Sequence, residues 1–405
     1  MNRNVVALSV CQGLVVANTI TVFAVGGLAG SRLAPAKSLA TLSITAYTVG
    51  AALSTYLFSL FMKRHGRRAG FAVGTVAGVL GALVCAVAVL AQNFWLFCLG
   101  TLISGMYFAA GGYYRFAAAD AAPAGLSTRA ISFVLAGGII GGVLGPETSK
   151  LTKDLLTTPF VASYVALALF ALAALVVVRS LDLPAPSVAE TKGPPRRLSV
   201  IIRDPKLIVA CLGGVTAYAV MNLLMAATPL AMQGCGLPFA ASTLVMEVHI
   251  VGMFAPALFS GRLVQRFGAL PIMSAGIACY FICLLVGLTA QGLFNFVLAA
   301  GLLGMGWCFL YVGATTLLTQ ACRPEEKAKV EGMNDLLVFT IVGTTSALSG
   351  PILYRLGWNA LNLVALPWLI VAAVGIGWLA FAARPPRKAV RVGAGRSILR
   401  SANSA

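Results

Sequence analysis

A chain of 405 residues that is 59% hydrophobic and only 10% charged, with a mean hydropathy of +0.92, carries more apolar surface than a soluble core can hide. Soluble domains hold about 25% charged residues, so the lipid bilayer must be the solvent for most of this one. The formal charge of +18 would suit nucleic acid, but its distribution along the chain, given below, excludes that partner.

Backbone groups in lipid must be satisfied internally. The apolar runs are about 20 residues long and lack the alternation of barrel strands, so they read as transmembrane helices. Twelve spans are expected, near 4–28, 39–62, 69–91, 94–118, 129–151, 160–179, 207–232, 240–262, 270–291, 293–320, 330–354 and 359–383. Met1-Asn2-Arg3 and the run to Leu28 have the outline of a signal peptide. The run is too long for one, however, and its place in a repeat makes it span 1. The stretch from Leu181 to Pro205 is the one long polar gap. It holds Pro184, Pro186, Pro194 and Pro195 with Arg196 and Arg197, and reads as a linker between two six-helix bundles. The expected organisation is a bundle over 1–181, a linker over 182–205, a bundle over 206–383 and a basic tail over 384–405. The nine cysteines lie mostly inside apolar runs without metal or disulfide spacing, as small apolar packers do.

Counting Lys and Arg sets the orientation. With the N-terminus inside, 24 of the 29 basic residues fall on the cytoplasmic side and five outside: Arg32, Lys37, Lys150, Lys153 and Arg355. That asymmetry puts both termini in the cytoplasm and accounts for the net charge without nucleic acid. The tail has six basic residues and no acid, and either contacts anionic head groups or is simply disordered.

The densest basic stretch is Ser59-Leu-Phe-Met-Lys63-Arg64-His65-Gly66-Arg67-Arg68, a tight turn between spans 2 and 3. It recurs: Arg64 and Gly66 match Arg266 and Gly268, 202 positions on. Gly50 matches Gly252 at the same offset, Gly100 and Gly105 match Gly301 and Gly306, and Gly145-Pro146 matches Gly350-Pro351. A near-constant offset of half the chain indicates two parallel halves.

On these residues the chain resembles the major facilitator superfamily over about 4–383. That family carries a Gly-x-x-x-Asp-Arg-x-Gly-Arg-Arg/Lys loop between its second and third helices and a degenerate copy in its second half. Ser59 stands for the first Gly and Lys63 for the Asp, while Arg64, Gly66, Arg67 and Arg68 match. In the copy Gly261, Arg266 and Gly268 match and Gln265 replaces the Asp. The resemblance implies an all-α, twelve-helix secondary transporter of bacterial inner-membrane type, a monomer working by alternating access between two bundles.

Catalytic signatures are absent. There is no phosphate-binding loop, no metal cluster, and with two histidines little for nucleophilic catalysis. No cofactor or enzyme activity is expected. Energy then comes from an ion gradient or from the substrate's own gradient.

The basic loop either anchors helix ends or also forms a cytoplasmic gate. In the family the loop's Asp sits near the start of helix 11. Here Asp335 stands there and is a candidate carboxylate for Lys63, Arg64 or Arg67, although an acid in a first turn is also ordinary helix design. Met246-Glu247-Val248-His249 lies near the middle of span 8. Burying a charge at the bilayer centre costs about 2.5–3.5 kcal/mol, so Glu247 and His249 are either a neutral structural pair or proton-coupling groups. Glu147 follows Gly145-Pro146 on the outer half of span 5 as a third candidate. The glycines Gly137, Gly138, Gly141, Gly142 and Gly145 approximate the family's antiporter signature, but the Gly-Pro repeats in the second half and equally reads as a kink. Arg115 resembles the family's helix-4 Arg, which helps proton transfer; near a helix end it also simply snorkels.

Spans 1, 4, 7 and 10 line the cavity in the family. Candidates there are Gln12 and Asn18, Tyr107 and Tyr113, Tyr218 and Asn222, and Trp307 and Tyr311. Trp307 and Tyr311 share a helix face. Aromatics with amides suit a flat, hydrogen-bonding heterocycle, and core packing is the plainer reading of each. The expected function is proton-coupled uptake of a small organic molecule, riboflavin or a similar heterocyclic vitamin, because the 113–120 and 249–261 stretches look like a branch linked with vitamin import. The alternatives are proton-linked efflux and a membrane receptor or scaffold that no longer transports.

Overall fold

The computed structural model describes residues 3–123, 127–183, 198–323 and 326–382. Most of the proline-rich linker, 184–197, and the basic tail over 384–405 lie outside them. The helices in chain order are α1 (Arg3–Leu33), α2 (Leu42–His65), α3 (Arg67–Leu90), α4 (Phe94–Gly111), α5 (Tyr114–Ala121), α6 (Ser127–Thr152) and α7 (Val161–Arg179). The second half has the short α8 (Leu198–Ile201), then α9 (Pro205–Gly234), α10 (Phe239–Phe254), α11 (Ala257–Phe267), α12 (Ala269–Thr289), α13 (Leu293–Ala321) and α14 (Lys327–Ala382).

Ten described stretches are long and apolar enough to cross a membrane, one of them Gly332–Ala382. That one crosses twice, because Gly357 (φ +84°) breaks α14 into spans 11 and 12. With α6 the total is the twelve spans expected. Large apolar residues such as Leu53, Val87, Leu151, Phe294 and Val374 point outward, as a lipid-facing surface requires.

Two spans differ from their sequence reading by being broken. Span 4 is interrupted after Gly111, where Gly112 and Tyr113 form a turn before α5. Span 8 is interrupted at Ala255-Pro256, where proline cannot donate the next helical hydrogen bond. Pro256 and the Gly111-Gly112 pair mark both places in the sequence, but apolar residues on either side make each run read as one span.

In the first half α1 packs on α6 and α7, α3 on α4 and α7, and α2 on α4. In the second, α9 packs on α13 and α14, α12 on α13, and α10 on α13. The halves meet through α6 and α10, α2 and α14, and α1 and α9. The repeated glycines mark repeated geometry. Gly66 and Gly268 both adopt φ +86°, a left-handed turn that favours glycine. Where α2 crosses α4, a Cβ on Gly105 would fall 2.0 Å from the Tyr47 carbonyl oxygen. Where α10 crosses α13, one on Gly304 would fall 2.3 Å from that of His249. Backbone contact of this kind is the usual route to tight helix pairing in lipid.

Replacing Gly105 with Val is expected to destabilise the first bundle by at least the ~1–3 kcal/mol of ordinary overpacking. Gly261→Ala, where nothing lies within 4 Å, serves as the control. Thermal unfolding in detergent, followed by size-exclusion recovery, reads both; equal recovery of the two variants would refute the crossing.

Candidate functional site

The seam between the halves is closed at one end. The Thr41 hydroxyl at the head of α2 donates to the Ser346 carbonyl (3.0 Å) and accepts from the Gly350 N–H (3.2 Å). Beside it Phe160 and Phe239 pack edge-on with centroids 6.3 Å apart. The Arg32 guanidinium lies 5.2 Å from the Phe160 ring and Lys153 Nζ 5.0 Å from the Phe239 ring. Sequence reasoning missed Thr41, Phe160 and Phe239, because nothing in their own neighbourhood announces a partner in the other bundle.

The opposite end carries the basic loop. The ion pairs Arg67–Asp120, Lys150–Glu147 and Lys153–Asp154 lie within the first half. Arg68 donates to the Arg179 carbonyl (2.6 Å). Lys63, Arg64 and His65 are exposed, with His65 stacked on Phe61 at 4.5 Å, and Arg266 lies over its neighbour Phe267. The contact of Asp335 with Lys63, Arg64 or Arg67 belongs to a closed cytoplasmic side, and in this arrangement Asp335 is turned elsewhere. Its carboxylate accepts from Asn334 Nδ2 (3.4 Å) and lies within electrostatic reach of Arg115. Arg67 has taken Asp120 on its own bundle instead.

Between the two ends the structure assembles several expected cavity residues. Trp307 and Tyr311 on α13 stack with centroids 5.0 Å apart and planes 17° apart. Tyr218 on α9 stands edge-on to both, at 5.4 Å and 5.3 Å. Arg115 comes from the other bundle. The break after Gly111 turns α5 so that Arg115 lies within reach of Tyr218, Tyr311 and Asp335, with its guanidinium 4.7 Å from the Phe116 ring. The Arg115 Nε and Trp307 Nε1 are buried without a partner. Three rings and two unspent donors form a face suited to a flat ligand with carbonyl acceptors. Tyr113 flanks it, its hydroxyl donating to the Thr55 carbonyl (2.9 Å), and Gln12 is half-buried on α1.

Other candidates are placed elsewhere. Tyr107 is fully buried in the first bundle, its ring beneath Gly78. Asn18 donates to the Leu167 carbonyl (3.3 Å) and so ties α1 to α7. Asn222 donates to the Val342 carbonyl (2.9 Å) and Thr345 Oγ1 (3.1 Å), tying α9 to α14. His249 is buried and donates from Nδ1 to the Ala300 carbonyl on α13 (3.1 Å). Glu247, two residues earlier, faces the first bundle instead and lies within hydrogen-bonding reach of Glu147.

Asn222→Ala removes two interhelical hydrogen bonds, each worth about 0.5–2 kcal/mol in a membrane bundle. The expected outcome is a lower unfolding temperature with an unchanged ligand affinity; weakened binding at unchanged stability would move Asn222 into the cavity.

A family model described as the Major Facilitator Superfamily matches residues 6–256 and 210–403. Among curated relatives, the Riboflavin transporter RfnT of Brucella anthropi is 34% identical over 377 residues, covering 92% of this chain and 94% of that protein. The Uncharacterized MFS-type transporter YddS of Bacillus subtilis is 27% identical over 357 residues, covering 84% and 82%. Of solved structures, a D-xylose-proton symporter superposes with a TM-score of 0.74 at 14% identity, over 92% of this chain and 96% of that one. A bacterial homologue of the lysosomal transporter Spinster, inward-facing and occupied, gives 0.72 at 14% identity, over 93% and 96%. At such identities the structural likeness speaks for the fold alone.

Proposed function

The chain belongs to the Major Facilitator Superfamily and is a multi-pass membrane transporter, and from that premise we propose that it imports riboflavin, or a closely similar heterocyclic vitamin, by proton-coupled alternating access. The observation that carries the reading is the three-ring face of Tyr218, Trp307 and Tyr311 with Arg115 opposite it on the other bundle. A tricyclic flavin offers a broad apolar plane for the rings. Its pyrimidinedione edge offers carbonyl oxygens for the Trp307 and Arg115 donors. Ring pairs of this kind contribute about 0.5–1.5 kcal/mol beyond burial, and a charged hydrogen bond about 1.5–3 kcal/mol. The 34% identity to a riboflavin transporter over nearly the whole chain supports the same substrate class.

In this reading both termini are cytoplasmic, on the strength of the Lys/Arg asymmetry. The basic-loop end is then the inner end, and because the contacts of Thr41 and Phe160 seal the opposite one, the arrangement described is inward-facing. When that end closes, Asp335 meets the basic loop through Lys63, Arg64 or Arg67 as a cytoplasmic gate. Glu147 and Glu247 carry the coupled proton. The span-5 glycines that resemble an antiporter signature lie against neighbouring helices, Gly137 and Gly141 against α1 and Gly142 against Ile250 of α10, and packing alone accounts for them.

Labelled riboflavin supplied to cells that can neither make nor import it tests the reading. Saturable uptake that an uncoupler abolishes is expected. Trp307→Ala should raise KM about tenfold, which corresponds to ~1.4 kcal/mol, and Arg115→Ala should do the same. No uptake with the protein present in the membrane would overturn the proposal, and uptake indifferent to the uncoupler would remove its proton.

A further inference from the structure

Two carboxyl groups meet across the seam. Glu147 lies on α6, near its end at Thr152, and Glu247 on α10, which begins at Phe239. These helices belong to different bundles and touch closely. Below the acids a Cβ on Gly142 would fall 2.2 Å from Ile250 Cγ2, and one on Gly138 3.3 Å from the Phe254 ring. Five residues on along α6 from Gly142 and three back along α10 from Ile250, that crossing places the two carboxyls beside each other at the seam.

Two ionised carboxylates are acceptors only. They can bond to each other only when one of them carries a proton, and without it they repel. Of the two, Glu147 has the direct contact with a cation. Lys150 Nζ reaches Glu147 Oε1 at 3.4 Å, while Glu247 Oε1 is buried without a partner. Among the described residues, Glu147 and Lys150 are the charged groups within electrostatic reach of Glu247. His249 on the same helix is spent on the Ala300 carbonyl of α13. Lys153 pairs with Asp154 beyond the end of α6, and Arg32 of α1 sits over Phe160. Of the other helices packed on α6 and α10, Arg115 and Asp120 of α5, Arg179 of α7 and Lys206 of α9 lie toward the basic-loop end.

We propose that Glu147 and Glu247 form one proton-binding site built from both bundles, in which a single shared proton clasps the sealed end of the seam. Proton uptake makes one O–H bond on one carboxyl, which donates to the other carboxylate and draws α6 onto α10. Proton loss leaves two like charges at the seam and frees that end to open. Closure therefore belongs to the acid side and opening to the alkaline side. The inference deepens the proton-coupling half of the reading above and is independent of the substrate.

The test uses the full chain in lipid nanodiscs without substrate. Spin labels are placed on Leu155→Cys and Ala240→Cys, both exposed at the sealed end, in a background whose native cysteines are replaced and whose unfolding temperature matches the parent. Between about pH 5 and pH 9 the parent should shift from a short to a longer distance. The open-to-closed ratio should change up to about tenfold per pH unit, as one proton dictates. Glu247→Gln should hold the short distance throughout, because its amide donates to Glu147 as the shared proton does. Glu247→Ala should lose the pH dependence and populate the longer distance. A parent-like pH response in Glu247→Gln, or a parent distance constant with pH, would overturn the clasp. Because the distances are read without substrate, failed riboflavin uptake leaves the clasp standing. A constant distance with intact uptake overturns the clasp alone.

Discussion

The seam between the bundles is held at its closed end by side chains and single hydrogen bonds. One hydroxyl, on Thr41, bridges the Ser346 carbonyl and the Gly350 N–H of the other bundle. A pair of rings, Phe160 and Phe239, lies beside it, each faced by a cation. None of these contacts is a charge pair, so parting them does not strand an ion.

Inside each bundle the construction is different. Helices cross with their backbones in contact at glycines such as Gly105 and Gly304, and buried amides fasten neighbours from within, Asn18 to α7 and Asn222 to α14. Close-packed backbones behave as rigid bodies, because packed cores are not continuously deformable. The charges follow the same division. The ion pairs Arg67–Asp120, Lys150–Glu147 and Lys153–Asp154 each stay within the first half.

The two broken spans set the chemistry of the seam. The turn at Gly112 and Tyr113 takes Arg115 off the line of α4 and brings it toward Tyr218, Tyr311 and Asp335. A straight helix would leave Arg115 to snorkel toward its end. The break at Pro256 divides span 8 into a buried part that carries Glu247 and His249 and an amphipathic part that carries Arg262 and Arg266.

Sequence alone determined what local chemistry determines. Twelve apolar runs gave twelve spans because lipid leaves the backbone no alternative to the helix. Repeated glycines gave two like halves because the same turns and crossings recur at Gly66 and Gly268, Gly50 and Gly252. The four-residue spacing of Trp307 and Tyr311 gave a shared face, and the structure stacks them. Only the tertiary structure decided which polar residue meets which. Asn18, Asn222 and Trp307 read alike as polar-tipped residues on cavity-forming spans, yet the amides fasten helices while the indole N–H stays unspent. Glu147 and Glu247 read as separate acids until two helices from different bundles brought them together. Periodicity fixes the side of a helix that a residue occupies, but not the rotation of that helix against its neighbours. That rotation is the sum of many close contacts distributed over the whole chain, and no local stretch of sequence carries it.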